Sequence, residues 1–559
     1  MVDNYYIADQ FSLLAKLMEM HGENSFRSRT YSNAAFAIEK ITQPLAEMPE
    51  EKLVTIKGIG DSVAKKVIEI LQTSKLRALE EIIEKTPPGV LQMMSIKGLG
   101  PKKIATIWKE MGVESVGELL YACNENRLLL YKGFGQKTQQ SIQESIEFFM
   151  KSQGSHLYSE TEAYAAVIDA TLKKQFPDRL FALTGQIRRQ SEIIDRLEWV
   201  TTATDTELLA FLGANNFTTK ETLEDIFSVM GPENVLLKFY RATPDSFYSV
   251  LFQTSGSEDF ITACAALPGW NSTASYKSEE DIFTALELPF IAPCMREQAN
   301  VLKTVKNKPV TLITTEDIKG IIHSHSQWSD GVQSVEEMAK ACIDKGYEYL
   351  VISDHSKSAA YANGLTEERI REQHRYIDEL NEKLQPFKIF KSIECDILGD
   401  GALDYSNNVL STFDLVIASV HSNLKMTEEK AMMRLLNAIC NPYTTILGHM
   451  TGRLLLSRPG YPVDHVSIIN ACVENQVVIE LNAHPRRLDM DWRWIDYAVE
   501  KGALISINPD AHSVEGYDVC RYGVLVAQKG GLSKEQNLSS YSLPEFEAYL
   551  ANRKKARGL

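Results

Sequence analysis

Histidines and acidic residues recur at the ends of short apolar runs in the last third of the sequence. Seven of the 11 histidines lie at or just beyond such ends: His323, His325, His355, His421, His449, His484 and His512. Asp330, Glu394 and Asp510 lie among them. A lone histidine is usually a satisfied core or surface group, but repeated imidazole and carboxylate groups suit Zn²⁺, Mn²⁺ or Fe²⁺. Without His484 the set has nine members, too many for one ion, so the pattern predicts a site for several divalent metals.

The apolar runs predict the elements that carry these side chains. Between them the sequence is helix-like, and they recur at intervals of about 25–40 residues, starting at Lys319, Tyr349, Phe390, Asp414, Thr444, Val477 and Leu504. This is the rhythm of βα units whose parallel strands close into a barrel. Six of the seven runs end in histidine or an acid, so the spacing places those side chains at the C-terminal mouth, where such barrels do chemistry.

A different pattern is repeated three times in the first third. Each copy reads apolar or aromatic residue, Lys, Gly, apolar residue, Gly, and an amphipathic helix follows. The lysines and glycines are Lys57, Gly58, Gly60, Lys97, Gly98, Gly100, Lys132, Gly133 and Gly135. This is a helix-hairpin-helix pattern, in which a tight turn presents helix N–H groups to a phosphate. One copy is equally a turn between packed helices, but three copies indicate DNA binding that is independent of base sequence.

Composition sets the broad class. A chain of 559 residues with 44% hydrophobic and 24% charged residues is an ordinary globular protein of about three domains. We expect no signal peptide and no membrane span, and eight scattered cysteines favour reduced thiols in a cytoplasm. The net charge of −15 does not exclude DNA, because residues 1–150 carry 18 basic and 19 acidic residues and are nearly neutral.

The last third resembles the PHP (polymerase and histidinol phosphatase) superfamily. Its His-x-His matches His323 and His325, its Asp-His matches Asp354 and His355, and its closing Asp-x-His matches Asp510 and His512. The full ligand set implied by the resemblance is His323, His325, Asp330, His355, Glu394, His421, His449, Asp510 and His512. The resemblance implies three metals in a distorted seven-stranded barrel, with Glu394 bridging two of them. Asp354 is expected to orient a ligand histidine, and Arg453 and Lys357 are candidate phosphate contacts.

The rest of the chain is similar to bacterial family X DNA polymerases. The stretch from Leu17 to Ile41 with the hairpins matches their N-terminal region, and Ser278 to Glu297 matches the end of their thumb. The resemblance implies a nucleotidyltransferase palm between the hairpins and the thumb. We therefore predict a multidomain protein with an all-α helix-hairpin-helix region (1–152), an α+β palm with thumb (153–312) and a distorted (β/α)7 PHP barrel (317–559).

The palm motif departs from that family. Two-metal phosphoryl transfer needs carboxylates at positions i and i+2 of a strand, facing ions about 3.5–4 Å apart. Here Arg196 and Glu198 stand at the two aspartate positions and Lys238 at the third carboxylate, while Gln186 replaces the triphosphate-binding serine. Arg189 is retained. A guanidinium at a ligand position puts a permanent cation where a metal ion should bind. We therefore predict a degenerate polymerase site.

The sequence thus predicts a DNA repair protein whose PHP region is a metal-dependent phosphoesterase and 3′-5′ exonuclease. Glu394, Asp354 and Arg453 are its expected catalytic residues. DNA that is gapped, nicked or 3′-ended is the expected partner. One alternative is a bifunctional gap-filling polymerase and exonuclease, which would also bind deoxynucleotides. A second is a small-molecule phosphatase of the histidinol-phosphatase type, and a third is a non-enzymatic scaffold that binds DNA gaps.

Overall fold

The computed structural model describes residues 2–41, 43–124, 127–151, 154–223, 225–231, 235–307, 310–456 and 459–559. The chain forms two compact units, Met1–Gln153 and Gly154–Leu559. Among the residues just given, no helix combines the length and apolar content that crossing a membrane requires. Within the second unit we call residues 154–312 the central region and residues 313–559 the C-terminal region.

The first unit is helical throughout its described residues. Its α-helices are α1 (Asn4–His21), α2 (Ser25–Glu39), α3 (Glu50–Leu53), α4 (Asp61–Thr73), α5 (Arg77–Ile83), α6 (Pro88–Met93), α7 (Pro101–Ala105), α8 (Val116–Asn124) and α9 (Gln136–Lys151). A single hydrophobic core joins them, from Ile7 and Phe11 in α1 to Ile142 and Ile146 in α9. Asp3 begins α1 by accepting a hydrogen bond from the backbone N–H of Tyr6, and Gly22 ends it with φ +73°.

The central region is built on a mixed five-stranded sheet in the order β2-β4-β7-β6-β5. Its strands are β2 (Phe181–Thr184), β4 (Arg196–Thr201), β5 (Thr218–Thr222), β6 (Ile226–Met230) and β7 (Leu236–Arg241), and a small pair joins β1 (His156–Leu157) to β3 (Ile193–Ile194). Strand β4 runs parallel to β7 and antiparallel to β2, and the other two pairings are antiparallel.

Helices surround this sheet and continue beyond it. They are α10 (Tyr158–Gln175), α11 (Gly185–Arg188), α12 (Asp205–Ala214), α13 (Phe247–Ser255), α14 (Glu258–Ala265), α15 (Glu279–Ala285) and α16 (Val301–Asn307). The last four pack around a separate core that includes Phe252, Phe260 and Phe283. Glu279 at the start of α15 forms ion pairs with Arg188 and with the fully buried Arg296.

The C-terminal region contains two parallel sheets. One has the order β10-β9-β8 and the other runs in chain order from β11 to β15. The strands are β8 (Gly320–Ile321), β9 (Tyr349–Ile352), β10 (Lys388–Lys391), β11 (Glu394–Asp396), β12 (Ile417–Ser419), β13 (Ile446–Leu447), β14 (Val478–Asn482) and β15 (Ile505–Asn508). All are buried or nearly so, as parallel strands covered on both faces should be.

Helices alternate with these strands. They are α17 (Val335–Asp344), α18 (Glu367–Lys383), α19 (Asn407–Leu410), α20 (Glu428–Cys440), α21 (His465–Glu474), α22 (Ile495–Glu500), α23 (Cys520–Lys529) and α24 (Leu543–Ala556). Several carry side-chain caps that fix where they begin. Ser334, Thr366 and Thr427, for example, each accept a hydrogen bond from a backbone N–H in the first turn of α17, α18 and α20.

One apolar run gives two strands instead of one. The run that starts at Phe390 is divided at Ser392 and Ile393, so that β10 pairs with β9 while β11 pairs with β12 in the other sheet. The N–H of Glu394 donates to the carbonyls of Ser353 and Asp354. This run therefore links the two sheets at one side, and a parallel bridge between Ser324 and Ala511 links them at the other.

Candidate metal centre

Most of the histidines and acids that the sequence singled out lie just beyond the carboxyl ends of strands in the C-terminal region. His323 and His325 follow β8, His355 follows β9 and Glu394 begins β11. The remaining members also follow strands or lie in the loop after β8, and they are Asp330, His421, His449, Asp510 and His512. His323 and Asp510 adopt left-handed backbone conformations, with φ +65° and +53°. Strain of this kind is tolerated where the surrounding structure holds it, commonly at functional sites.

Glu394 lies at the middle of the cluster. Its Oε1 is 3.0 Å from Nε2 of both His421 and His449 and 3.3 Å from Nε2 of His323. Its Oε2 is 3.0 Å from Nδ1 of His355 and 3.5 Å from Nε2 of His325. Five imidazoles therefore surround one carboxylate, with imidazole nitrogens close to each of its two oxygens. The predicted role of Glu394 as a bridge between two cations is compatible with this arrangement and stays a prediction.

Three overlapping groups have the geometry to hold a cation. Within each group, one ligand atom per residue lies within 4.8 Å of the others. The groups are His325, Asp330, His355 and His512; then His323, His325, Glu394 and Asp510; and then His355, Glu394 and His421. His325, His355 and Glu394 each belong to two groups, so neighbouring cations would share ligands.

Buried polar atoms in the centre lack the hydrogen bonds that burial normally demands. His323 Nε2, His325 Nδ1, Glu394 Oε2 and His449 Nδ1 are all inaccessible to solvent and have no hydrogen-bond partner of acceptable geometry. Leaving such an atom unsatisfied costs about 1–3 kcal/mol, so a cluster of them requires another source of stabilisation. Bound cations supply it, and the residues present therefore fit a metal site.

Electrostatics in the centre follow from burial and from the close approach of opposite charges. Burial opposes ionisation of Glu394, but His421, His323 and His355 outweigh it and hold its pKa well below the ordinary value. Burial likewise lowers the pKa of His355, but Glu394 and Asp330 outweigh it and raise this pKa to about 10. In His325, burial together with His512 and His355 lowers the pKa to about 3. The carboxylates thus attract positive charge strongly.

Two buried acids that the sequence analysis missed contact Nδ1 of predicted ligand histidines, on the side of the ring away from Glu394. Glu480 is fully buried on β14, and its Oε2 lies 2.6 Å from Nδ1 of His323. Asp396 Oδ1 lies 3.2 Å from Nδ1 of His421. Carboxylates at the far nitrogen fix the ring orientation and the tautomer of a ligand histidine. An acid inside the apolar run VVIELN was the available signal for Glu480.

Asp354 has a different partner from the one predicted. Its carboxylate accepts hydrogen bonds from the N–H and hydroxyl groups of Ser326 and Ser329 and from the side chain of Gln373. The expectation that it orients a ligand histidine is therefore corrected. It holds the loop between His325 and Asp330, because five donors converge on this one buried carboxylate.

Arg453 is engaged with the chain itself. Its Nε donates to the carbonyl of Arg487 at 2.9 Å, Nη2 donates to the carbonyl of Leu488, and Nη1 donates to Asp491 at 2.7 Å. Each of its three nitrogens thus bonds to the segment after β14, which this arginine holds in place, and its role as a phosphate contact stays a prediction. The other candidate phosphate contact, Lys357, has its Nζ 5.1 Å from the ring centre of Tyr405.

The segment after β14 also carries His484, Arg486 and Arg487. Arg487 Nε lies 3.6 Å from Asp510 Oδ2, so this arginine reaches a member of the metal cluster. His484 is packed beside it, and burial lowers the pKa of its ring. Arg486 instead pairs with Glu160 of the central region, 3.2 Å away.

The five positions of the predicted degenerate polymerase site lie on β4, on β7 and in or just after α11, and four of them bond to one another or to neighbouring residues. Glu198 is buried, and its Oε1 accepts from Arg196 at 3.0 Å and from the Tyr240 hydroxyl at 2.7 Å. Its other oxygen lies against Gly185, where an added Cβ would be only 1.8 Å away. In register beside Glu198 on β7 is Lys238.

The side chains at the two remaining positions also make hydrogen bonds to neighbouring residues. Gln186 exchanges two hydrogen bonds of 2.9 Å with the side chain and backbone of Asp195. Arg189 Nε donates to Glu297 at 3.2 Å. Among the described residues, the groups that meet the metal-ligand geometry all lie in the C-terminal region.

The three hairpins share one backbone geometry. The first glycine of each is left-handed, with φ +100° at Gly58, +88° at Gly98 and +95° at Gly133. In each copy the N–H of the apolar residue between the glycines donates to the carbonyl three residues earlier, at 2.9, 3.1 and 3.3 Å. The neighbouring lysines Lys57, Lys97 and Lys132 are exposed, and the second glycines Gly60, Gly100 and Gly135 precede helices.

Comparisons with known proteins match the same regions. A family described as "Helix-hairpin-helix domain" matches residues 2–76, a "SAM-like Helix-hairpin-helix tandem" matches 90–147, and a "PHP domain" matches 322–484. The chain is 32% identical to the DNA polymerase/3′-5′ exonuclease PolX of Bacillus subtilis, over 96% of this chain and 97% of that protein.

Two further relatives match parts of the chain. A protein named "probable phosphatase" from Thermoanaerobacter is 26% identical over 42% of this chain and 96% of its own length. DNA polymerase lambda of Rattus norvegicus is 32% identical over 21% of this chain and 19% of its own length.

Proposed function

Since the chain belongs to the PolX family of bacterial family X DNA polymerases with a PHP domain, we propose that it is a DNA repair enzyme whose C-terminal region hydrolyses phosphodiester bonds from 3′ ends. The observation that carries this proposal is the state of the buried ligand atoms. In the C-terminal region the ligand atoms of the histidines and acids converge, and several of them have no hydrogen-bond partner. In the central region, by contrast, Glu198 is satisfied by Arg196 and Tyr240. We infer that the C-terminal region hydrolyses DNA and that the central region no longer polymerises it.

The domains of this proposal follow the sequence prediction. Residues 1–152 bind DNA through the hairpins, 153–312 are a degenerate palm with thumb, and 317–559 are the PHP phosphoesterase. The links between the two C-terminal sheets at both sides support a closed, distorted barrel. The three overlapping ligand groups support three divalent cations, of which Mn²⁺, Zn²⁺ and Fe²⁺ suit the imidazole and carboxylate donors.

The chain's own residues prepare the site for phosphodiester hydrolysis. The Glu480 carboxylate accepts a hydrogen bond from Nδ1–H of His323. In this tautomer the lone pair of Nε2 faces the centre of the cluster. Glu394 stays ionised among five histidines and belongs to two of the ligand groups. Asn482 donates to Asp510 at 3.1 Å and fixes that carboxylate. Bound divalent cations supply a water molecule of lowered pKa and offset charge on the phosphoryl oxygens.

A single gel tests the proposal against the bifunctional alternative. Gapped DNA carrying a 5′ label on the primer strand is incubated with the full-length protein and Mn²⁺, with and without deoxynucleotides. We expect the primer to shorten in both reactions. Lengthening that requires deoxynucleotides, and that is lost in Glu198→Ala, would establish polymerase activity and overturn the degenerate palm.

A second comparison tests the phosphatase alternative, which the similarity to a protein named probable phosphatase favours. Turnover of single-stranded DNA is measured beside turnover of a phosphate monoester at the same metal concentration. We expect the larger kcat/KM for DNA, because the first unit carries three exposed hairpin lysines that contact phosphates. A larger kcat/KM for the monoester would contradict the assignment of DNA as substrate.

A further inference from the structure

The segment that follows β14 borders the metal centre. We call residues 484–493 (HPRRLDMDWR) the arginine loop. Its Arg487 reaches to 3.6 Å from Asp510 Oδ2, and the N–H of His484 donates to the Asn482 side chain, which itself donates to Asp510. The position of the arginine loop therefore sets the surroundings of Asp510.

The arginine loop is braced from within the C-terminal region by Arg453. Besides its bonds to the carbonyls of Arg487 and Leu488, this arginine forms an ion pair with Asp491. Asp491 pairs in turn with Arg493 at 2.9 Å. Burial opposes ionisation of Asp491, but the two arginines outweigh it and lower the pKa of this carboxyl group.

The central region holds the same loop at two further points. Glu160 on α10 accepts a hydrogen bond of 3.2 Å from Arg486. Glu192 follows α11, and its Oε1 lies 3.8 Å from Arg493 Nη1 and 3.9 Å from Arg453 Nη2. The Glu192 side chain is only 10% exposed. Arg453 is 14% exposed, so its pair with Glu192 is weakened less by salt than a surface pair, while Arg493 is about half exposed.

Glu192 belongs to the stretch in which the sequence carries the remains of a nucleotidyl-transfer motif. With Gln186 bonded to Asp195 and Arg189 to Glu297, that stretch is occupied by its own contacts. Lys529 of α23, whose side chain is fully buried, also donates to Glu297 and to the carbonyl of Arg189. The remnant of the motif is therefore joined to the C-terminal region by charged contacts.

We propose that the central region is a positioning element for the metal centre, in which Glu160 and Glu192 are positioning residues that act on Asp510 through the arginine loop. This inference rests on the proposed function only for its catalytic readout. Loss of a group that orients a ligand typically costs about 10–100-fold in metal affinity or activity. Because Glu160 and Glu192 act one contact further away, we expect the lower end of that range.

The first experiment compares two double variants of the full-length protein. Glu160→Gln/Glu192→Gln removes both contacts, while the control Glu221→Gln/Glu287→Gln removes two exposed carboxylates of the central region that have no ion-pair partner among the described residues. Titration calorimetry measures Mn²⁺ affinity, and kcat and KM are measured with bis(p-nitrophenyl) phosphate, which is too small to need the hairpins. We expect a roughly tenfold fall in kcat or in Mn²⁺ affinity for the first variant, with KM and melting temperature close to those of the control.

A charge swap separates positioning from a loss of folding. Glu160→Arg alone is expected to lower activity, and adding Arg486→Glu is expected to restore it to within about threefold of wild type, because the pair reforms with reversed charges. Values for Glu160→Gln/Glu192→Gln within twofold of the control, or no recovery in the swap, would overturn the proposal. A wild-type protein that leaves the diester intact would overturn the proposed function, and the Mn²⁺ titration would still decide the positioning role.

Discussion

The candidate metal centre and the central region both contain clustered carboxylates and cationic groups. They differ in whether the buried polar atoms of the cluster have hydrogen-bond partners. In the metal centre both oxygens of Glu394 face imidazoles of the cluster, and several buried nitrogens have no hydrogen-bond partner. In the central region Glu198 is bonded to Arg196 and Tyr240 and packs against Gly185. Under the proposed function, several buried ligand atoms of the metal centre are left for cations, while Glu198 in the central region is satisfied by its neighbours.

The difference has an energetic reason. Each unsatisfied buried polar atom costs about 1–3 kcal/mol, so a ligand cluster without ions is unstable unless binding offsets that cost. A region that no longer binds ions is stabilised by any substitution that pairs its leftover carboxylates. Arg196 forms such a pair with Glu198, and Lys238 lies in register beside it. If the central region is a degenerate palm, as we propose, charged residues at its ligand positions are a physical marker of lost metal binding.

The largest expected effect is at the carboxylate shared by the ligand groups. Glu394→Gln keeps the shape of the side chain but removes its charge and turns one acceptor into a donor facing the histidines. We expect hydrolysis of DNA to fall by at least about a hundredfold, because even outer partners of ligands cost about 10–100-fold. A gel assay with end-labelled DNA measures the loss of hydrolysis, and a metal analysis of the purified protein measures the loss of bound metal.

The matched control is Glu474→Gln, which changes an exposed glutamate near the end of α21. Its activity and metal content should equal those of the wild type. If Glu394→Gln kept full activity, the comparison between the two regions would lose its basis, because the best-surrounded carboxylate of the centre would be dispensable.

A smaller effect is expected at Asp354, one step away from the ligands. Asp354→Asn replaces one acceptor oxygen with an NH₂ group, which cannot accept the hydrogen bonds that Ser326 and Ser329 donate. Buried donors would then be left unsatisfied. We expect the loop that carries Asp330 to loosen and kcat to fall by about tenfold. Steady-state kinetics at saturating Mn²⁺ measure this loss. A change confined to KM would indicate that Asp354 acts on substrate binding instead.

Much of the metal cluster followed from the sequence because strand ends are easy to recognise. Parallel strands bring their carboxyl ends to one edge, so histidines that end successive apolar runs must converge. His323, His421 and His449 meet at Glu394 for this reason. The partners of Asp354 and Arg453 were not predictable in this way, since they depend on how loops turn after the strands. Glu480 was missed because it lies inside a run and not at its end.

The contacts between the central and C-terminal regions lie beyond sequence reasoning for a different reason. Glu160 pairs with Arg486, and Glu162 pairs with Arg521, across more than 300 residues of chain. Exposed charges look alike in a sequence whether they are solvated or paired. Which of them meet depends on how packed surfaces fit together, and local periodicity does not encode that fit.

In the central region we expect a modest effect on stability and none on hydrolysis. Glu198→Gln removes the charge that Arg196 and Tyr240 contact, and Arg196 is partly exposed and can be solvated. Stability should fall by about 1 kcal/mol, the usual contribution of such a hydrogen bond. Urea unfolding gives the change in free energy, and the DNA gel gives activity. A Glu198→Gln variant that hydrolysed DNA more slowly, at unchanged stability, would assign this carboxylate a part in catalysis.

The smallest effect concerns DNA binding, which we predict for the hairpins and not for the central sheet. Lys57→Ala/Lys132→Ala removes two exposed cations beside left-handed glycines, and Lys174→Ala/Lys220→Ala removes two exposed cations from α10 and β5 as a control. Each lost phosphate contact lowers the slope of log affinity against log salt by roughly 0.9. Fluorescence anisotropy with gapped DNA across a salt series should therefore give a slope reduced by nearly two for the hairpin variant and an unchanged slope for the control. Equal reductions in both variants would mean that the central region also binds DNA, and would contradict the prediction that DNA binding belongs to the hairpins.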